Sequence, residues 1–290
     1  MLLLPYSHGR AKLNYLINNT RHNINLTMQN VKPKKQLGQH FLTSQQIAKD
    51  IVDALTTNGN AIEIGPGMGV LSRYLFQRPE LNMRLIEVDG ESVDYLKANY
   101  PEKADTVVFG DFLRLDADSF FGEGENFSVI GNFPYNISSQ IFFRILEYKD
   151  RVPMIVGMLQ REVAQRLSSG PGTRDYGILS VFLQAYYDIE YLFTVHEDVF
   201  NPPPKVKSGV IRLTRNSVTK LDCDEALFRR VVKATFGQRR KTIWNGLKSL
   251  GVNLTALQDD PVMKKRPEQL SVADFVNLTN KVASQIPRQG

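Results

Sequence analysis

Hydrophobic positions along this chain follow two alternating rhythms. Short apolar runs at 61–64, 83–88, 106–109, 127–130 and 153–159 read as strands, buried on both faces. Between them, apolar residues fall at the three-to-four spacing of a helix. Ser44 caps a first helix whose Ile47, Ile51, Val52 and Leu55 share one face. Further helices are predicted over 69–77, from 91, over 138–146 and from 160. Strands alternating with helices imply a doubly wound, Rossmann-like parallel sheet covered on both faces. The pattern then changes. Residues 187–195 and 206–213 are two β segments without a long helix between them, and they suit an antiparallel pair at one sheet edge. Beyond 216 no strand pattern remains. Helices are predicted over 226–236, 242–250 and 272–282, the last preceded by a capping box of Ser271 and Asp274. The expected fold is an α/β sheet domain over 31–215 and a small all-helical C-terminal domain over 216–290.

Composition narrows the function classes. No apolar stretch of the 290 residues approaches the length of a membrane span. Cys223 is the only cysteine, which excludes an internal disulfide and a cysteine-based metal site. The four histidines, at 8, 22, 40 and 196, show no ligand spacing, so no metal is expected. This usage suits a cytoplasmic protein. Charge is segregated: residues 1–42 carry +6, residues 43–215 carry −6 and residues 216–290 carry +6. Basic ends around an acidic body suggest a catalytic middle with polyanion-gripping flanks. Residues 1–30 look like a disordered tail or a mis-assigned start, with Met28 as the alternative initiator.

The chemistry concentrates at strand ends. Glu63-Ile64-Gly65-Pro66-Gly67-Met68-Gly69 lies where the first strand turns toward its helix. Glycines there let backbone approach a ligand closely. Glu87 ends the second strand, placed to meet the two hydroxyls of a ribose. Asp111 follows the third strand and suits an adenine amino group. A dinucleotide fingerprint requires G-x-G-x-x-G, but here the spacing is G-x-G-x-G. That compact turn, with Glu63 before it, favours S-adenosylmethionine over a nicotinamide dinucleotide. The fourth strand ends in Asn132-Phe133-Pro134-Tyr135. The Asn132 and Pro134 carbonyls can accept hydrogen bonds from an exocyclic amine while Tyr135 stacks on the ring. Taken alone, the same tetrapeptide also reads as a strand-to-helix turn.

With these residues in view, the chain resembles the small-subunit ribosomal RNA adenine dimethyltransferase family over about residues 33–280. The resemblance rests on seven motifs in order: Lys34-Lys35-Gln36-Leu37-Gly38-Gln39-His40-Phe41-Leu42, the Glu63–Gly69 turn, Glu87-Val88-Asp89, Gly110-Asp111-Phe112-Leu113, Asn132–Tyr135, the run from Phe200 to Ser208, and Phe236-Gly237-Gln238-Arg239-Arg240-Lys241. Arg266-Pro267, Leu270-Ser271 and Asp274-Phe275 follow. The resemblance implies methyl transfer from S-adenosylmethionine to the N6 amines of two adjacent adenines near the 3′ end of small-subunit rRNA. It implies cofactor contacts at His40, Leu42, Gly65, Glu87, Asp111 and Asn132, to which the glycine turn itself adds Gly67 and Gly69. Asn132, Pro134, Tyr135 and Phe200 are the expected catalytic group, with Tyr135 and Phe200 sandwiching the base. Two departures from the family pattern stand out: His40 replaces a usual Asn, and Phe133 replaces a usual aliphatic residue. Lys34 and Lys35, with Arg239, Arg240 and Lys241, are the expected RNA contacts. The implied partner is the small ribosomal subunit precursor with its rRNA, met by a monomer. The competing readings are a large-subunit rRNA methyltransferase of the macrolide-resistance type and a non-catalytic RNA-binding assembly factor.

Overall fold

A computed structural model describes residues 31–286. The expectations for residues 1–30 lie outside the described residues.

Two strands have no counterpart in the sequence pattern, and they matter for the site. β1 (Phe41–Leu42) pairs antiparallel with β8 (Phe200–Asn201), joining Phe41 to Asn201 and Leu42 to Phe200. Two-residue strands have no periodicity to detect, and their partners lie far apart in sequence. α1 (Gln45–Asp53) follows, with the Ser44 hydroxyl accepting from the Ile47 N–H. Then come β2 (Gly59–Ile64), α2 (Ser72–Leu75), β3 (Leu81–Glu87), α3 (Gly90–Asn99), β4 (Val107–Phe109), α4 (Asp118–Phe121), β5 (Ser128–Asn132), α5 (Ser138–Glu147), β6 (Met154–Gln160) and α6 (Arg161–Ser168). α7 (Ile178–Gln184), β7 (Tyr187–Val195) and β9 (Ser208–Arg215) complete the α/β part. α8 (Glu225–Gly237), α9 (Ile243–Leu247) and α10 (Val272–Ala283) follow.

The main sheet has seven strands in the order β4-β3-β2-β5-β6-β9-β7. The first five are mutually parallel. β9 is antiparallel to both β6 and β7, forming the expected edge pair. Strand order reverses between β2 and β5, which opens a crevice at their carboxyl ends.

Successive strand residues point to opposite faces, and both faces are apolar. Ile62, Val129, Ile155 and Ile211 enter one buried cluster, while Ala61, Ile130, Val156 and Val210 enter the other. This explains why the strands read as continuous hydrophobic runs. The first cluster continues without a break into Phe228, Val232, Phe275 and Leu278 of the helical segment. Arg239 adds a polar tie to the α/β part, donating to the carbonyls of Arg174 and Tyr176.

Helix lengths depart from expectation where glycines intervene. The helix predicted over 69–77 shrinks to Ser72–Leu75 because the turn before it runs through left-handed glycines up to Gly69. The helix predicted over 242–250 is α-helical only to Leu247, then tightens to a 3₁₀ turn ended by Gly251 at φ +69°. α7 leaves no helical signature in the sequence, since its apolar residues show no polar face: Leu179, Val181, Phe182 and Leu183 are all buried.

One buried acid gives the fold a pH signature. Glu63, on β2, is only 1% exposed and accepts from the Ser72 hydroxyl at 2.6 Å. Burial pushes its carboxyl up to about 8, the Ser72 bond pulling against it and the nearby Glu87 charge adding to it. The folded chain therefore keeps a proton that the unfolded chain releases near 4.5, and stability falls as pH rises from there to about 8. Glu63→Gln should raise the melting temperature of the ligand-free protein more at about pH 9 than at about pH 5. Equal shifts at both pH values would show that Glu63 carries no such penalty.

Candidate active site

The crevice is built on four strand ends. At the end of β2, Gly65, Gly67 and Gly69 adopt φ values of +66°, +55° and +77°. Three left-handed residues at alternate positions require glycine, since a Cβ is strained there. A Cβ on Gly67 would also come within 2.8 Å of the Phe41 ring. This turn delivers the Gly67 N–H to Glu87 Oε2 at 3.0 Å. Glu87 Oε1 accepts the N–H groups of Val88 and Asp89, each at 2.9 Å. Burial pushes the Glu87 carboxyl up, and these three backbone donors pull it back without cancelling the rise. A carboxylate offers about four acceptor positions, so the side chain is fixed yet retains capacity toward a ligand. Asp111, after β4, caps its own turn through the Leu113 N–H at 3.0 Å and lies 3.5 Å from Arg114.

A strap of residues 34–42 closes the other side. Its anchor is Asp89, which is 3% exposed. Asp89 holds the Lys34 ammonium, the Ser92 hydroxyl at 3.0 Å and the Gln39 amide at 3.4 Å. Burial alone would push the Asp89 carboxyl up, but these donors outweigh it and hold it below the usual range. The Lys34 N–H donates to Gln39 Oε1 at 2.8 Å, so the turn is closed internally as well.

From this turn the strap delivers the His40 carbonyl to the Asn132 amide, with Nδ2 donating at 3.0 Å. A carbonyl can only accept. The amide nitrogen must therefore face His40, which leaves Asn132 Oδ1 as a free acceptor in the cleft. The Pro134 carbonyl takes the Ile137 N–H at 3.2 Å and keeps a second lone pair. Phe133 points away, fully buried against Gly131 and Gly157, where a Cβ would meet its ring at 2.9 and 2.5 Å. The larger ring in this tetrapeptide is accommodated by those two glycines. The Tyr135 hydroxyl meets Ser208 Oγ at 2.5 Å, and the His40 ring lies against Tyr135 with centroids 5.6 Å apart and planes at 27°.

His40, Gly65, Gly67, Glu87, Asp111, Asn132, Pro134 and Tyr135 all line one cleft of about 740 Å³, part of it open to solvent. A second hollow lies outside it, sharing Gly38, Gln39, His40 and Tyr135 and adding Lys35, Pro202, Pro203, Pro204 and Lys205. Other expected residues sit elsewhere. The Leu42 and Phe200 side chains are buried in the core, 3% and 4% exposed, as partners in the β1–β8 pair. Phe200 therefore does not face Tyr135 across the cleft, because strand pairing turns it inward. Gly69 is set against Leu96 and Tyr100, serving the packing of α3. Lys34 is engaged by Asp89 and by Glu91 at 3.1 Å, and Arg239 by two carbonyls, so neither presents a free cation. Lys35, Arg240 and Lys241 are exposed.

Sequence reasoning quotes Asp89, Gln39 and Ser208 within its motifs but gives them no role. Asp89 lies two residues after Glu87, at the cap position of α3, and its spacing is the available signal. Ser208 closes the Phe200–Ser208 motif, but only β9 brings it to Tyr135.

The groups on the cleft wall fit S-adenosylmethionine. A turn with little room for Cβ atoms admits close backbone approach. A fixed carboxylate suits vicinal hydroxyls, and Asp111 with the Leu113 segment suits a purine edge. Comparison with known proteins identifies the family. The family profile described as ribosomal RNA adenine dimethylase matches residues 30–284. The ribosomal RNA small subunit methyltransferase A of Parabacteroides distasonis is 55% identical, spanning 87% of this chain and 94% of its own. That of Cytophaga hutchinsonii is 53% identical, spanning 89% of this chain and 100% of its own. Among solved structures, a dimethyladenosine transferase from Plasmodium falciparum matches with a TM-score of 0.71 at 22% identity, over 85% of this chain and 98% of that one. The 23S rRNA methyltransferase ErmE matches with a TM-score of 0.59 at 24% identity, over 84% and 99%. These two likenesses establish the shared fold, and the profile together with the close relatives establishes the family. The chain belongs to the ribosomal RNA adenine dimethylase family.

Proposed function

We propose that this protein is an S-adenosylmethionine-dependent rRNA adenine N6,N6-dimethyltransferase. Its substrate is a pair of adjacent adenines near the 3′ end of small-subunit rRNA, met on an assembling subunit in the cytoplasm by a monomer. The observation that carries this reading is the fixed polarity of the Asn132 amide, whose Oδ1 stands free beside the Pro134 carbonyl and the Tyr135 ring.

S-adenosylmethionine, held by the glycine turn, Glu87 and Asp111, supplies an electrophilic methyl group. The chain's own residues then make an adenine amine nucleophilic. Its lone pair is ordinarily delocalised into the ring. In the first transfer, acceptance of its two N–H bonds by Asn132 Oδ1 and the Pro134 carbonyl favours a pyramidal nitrogen whose lone pair points out of the ring plane; in the second, the monomethylated amine keeps one N–H for either acceptor, and in each transfer the C–S pair would stay on sulfur while one N–H proton is lost to solvent. No strong base is needed before attack, because the amine proton becomes acidic only as the new N–C bond forms. Orientation and proximity carry the rate, a contribution of ~7–11 kcal/mol in well-aligned systems. Extraction of the base from its stack costs a few kcal/mol, and stacking on Tyr135 offsets ~1–3 kcal/mol of it.

Residues 31–215 carry this chemistry, and the basic helical segment over 216–290 grips rRNA with exposed Arg240 and Lys241. The large-subunit reading shares the fold, as the ErmE likeness makes plain. The small-subunit reading is supported by relatives more than half identical over nearly their whole length, and the family profile extends through the C-terminal helices to residue 284. A non-catalytic assembly factor would have no need of a free Oδ1 and a buried carboxylate on one cleft wall. Among the described residues no helix is long and apolar enough to cross a membrane.

Glu87→Gln keeps the shape of the side chain but removes its charge, and should weaken S-adenosylmethionine binding by about 1.5–3 kcal/mol. Calorimetry giving unchanged affinity would remove Glu87 from the site, and tighter binding of NADH would overturn the cofactor. Asn132→Ala should still bind small subunits yet lose most transfer of tritiated methyl to them. Near wild-type transfer would reduce Asn132 to a turn residue. Replacing Arg240 and Lys241 together should lower the slope of log affinity against log salt by roughly 0.7–0.9 for each phosphate no longer neutralised. Arg239→Ala should instead lower thermal stability, since it unties Arg174 and Tyr176. An unchanged salt slope in the double variant would move the rRNA contact away from this segment.

A further inference from the structure

Asp89 sits at the cap position of α3, where an aspartate ordinarily accepts a backbone N–H of the first helical turn. Its side chain accepts none from that turn. A buried carboxylate is costly unless it is paired, and among the described residues its partners besides the Ser92 hydroxyl are the Lys34 ammonium and the Gln39 amide, both on the strap. We propose that Asp89 is a positioning residue for methyl transfer, which holds the strap so that the His40 carbonyl fixes the Asn132 amide. This rests on the adenine methyltransferase reading. It adds a residue that acts from a distance, since Asp89 lines neither the cleft nor the outer hollow.

The path from carboxylate to amide is short and closed. Lys34 and Gln39 are tied to each other, the Lys34 N–H donating to Gln39 Oε1 at 2.8 Å, so Asp89 holds both ends of one turn. Between them Lys35–Leu37 is a 3₁₀ turn ended by Gly38 at φ +65°. The Leu37 and Gly38 N–H groups donate to the Lys34 and Lys35 carbonyls at 3.0 Å. With its backbone groups paired in this way, the turn shifts as one piece. Gly38 lies against Asn136, where a Cβ would come within 2.8 Å of Oδ1, so the strap is seated on the segment just after Tyr135. His40 follows and presents its carbonyl to Asn132 Nδ2 at 3.0 Å. Among the described residues that is the only hydrogen bond of the Asn132 side chain, so the direction of the amide follows the strap. The Asp89 N–H separately donates to Glu87 Oε1 at 2.9 Å. That bond belongs to the backbone and survives a change of the Asp89 side chain, which separates the strap from the carboxylate on the cofactor wall.

The test uses the full chain, small subunits lacking the modification and saturating S-adenosylmethionine, with single-turnover transfer of tritiated methyl. Asp89→Asn removes the charge at nearly constant shape. Lys34→Met breaks the same contact from its partly exposed partner, so the test stands even where Asp89→Asn fails to fold. Lys34→Arg keeps a cation for Asp89. A misplacement of about 1 Å can cost roughly 100-fold, so Asp89→Asn and Lys34→Met should each lose roughly 10–100-fold in rate, and Lys34→Arg should recover most of it. The deciding measurement places Lys34→Met in an Asn132→Ala background over long incubations. If the contact acts through Asn132, the residual rate there changes by less than ~2-fold. Losses that multiply would overturn the proposal and reduce Asp89 to packing. A Lys34→Met rate restored by raising the subunit concentration would also overturn it, leaving Lys34 as an RNA contact. Wild-type protein that puts no methyl on small-subunit adenine would sink the underlying reading. Normal wild-type transfer with Asp89→Asn and Lys34→Met unaffected would sink the Asp89 assignment alone.

Discussion

One hydrogen bond organises the site: the Asn132 amide donating to the His40 carbonyl. It decides which end of the amide faces the cleft, because the carbonyl has no proton to give. It also fastens the strap to the end of β5, so that the cleft has a second side. Without the strap, the crevice at the strand-order reversal would be open along one flank and wetter. With it, Asn132, Pro134 and Tyr135 face a space bounded by protein, where hydrogen bonds to a ligand are electrostatically stronger than in water.

Three buried acids near this point are managed in three ways. Glu63 has one hydroxyl donor and full burial, and it holds its proton up to about pH 8. Glu87 has three backbone donors, which offset much of its burial and fix its carboxylate in the glycine turn. Asp89 has a lysine ammonium, a hydroxyl and an amide, and its carboxyl is held low. The gradient follows the donors available to each acid. It leaves Glu63 in the packing beneath the turn, Asp89 in the strap and Glu87 between them on the cleft wall. Glu87 and Asp89 are joined directly, since the Asp89 N–H donates to Glu87 Oε1. The cofactor side and the strap side of the cleft therefore meet in one short segment at the end of β3.

The cleft and the outer hollow share a thin wall of Gly38, Gln39, His40 and Tyr135. Such a wall suits a reaction between a small methyl donor and a nucleotide that remains part of a large RNA. The helical segment shares the first hydrophobic cluster with the sheet, so the exposed Arg240 and Lys241 stand on a segment packed continuously with it.

The sequence by itself determined the parallel sheet, the glycine turn, and the acids and amide at successive strand ends. These are local features: periodicity, left-handed backbone requirements and polar residues that close apolar runs all lie within a few positions of one another. Three-dimensional pairing decided the rest. Phe200 and Leu42 read as site residues by position in their motifs, but a two-residue antiparallel pair turns both side chains into the core. Lys34 and Arg239 read as free cations, and their partners, Asp89 and the carbonyls of Arg174 and Tyr176, lie 55, 65 and 63 positions away. Asn132 was legible as a chemical group, yet the direction of its amide depends on a carbonyl 92 residues distant. Local pattern reports which groups are available. Which of them are spent on the fold, and which remain free for a ligand, depends on contacts between segments that no local pattern encodes.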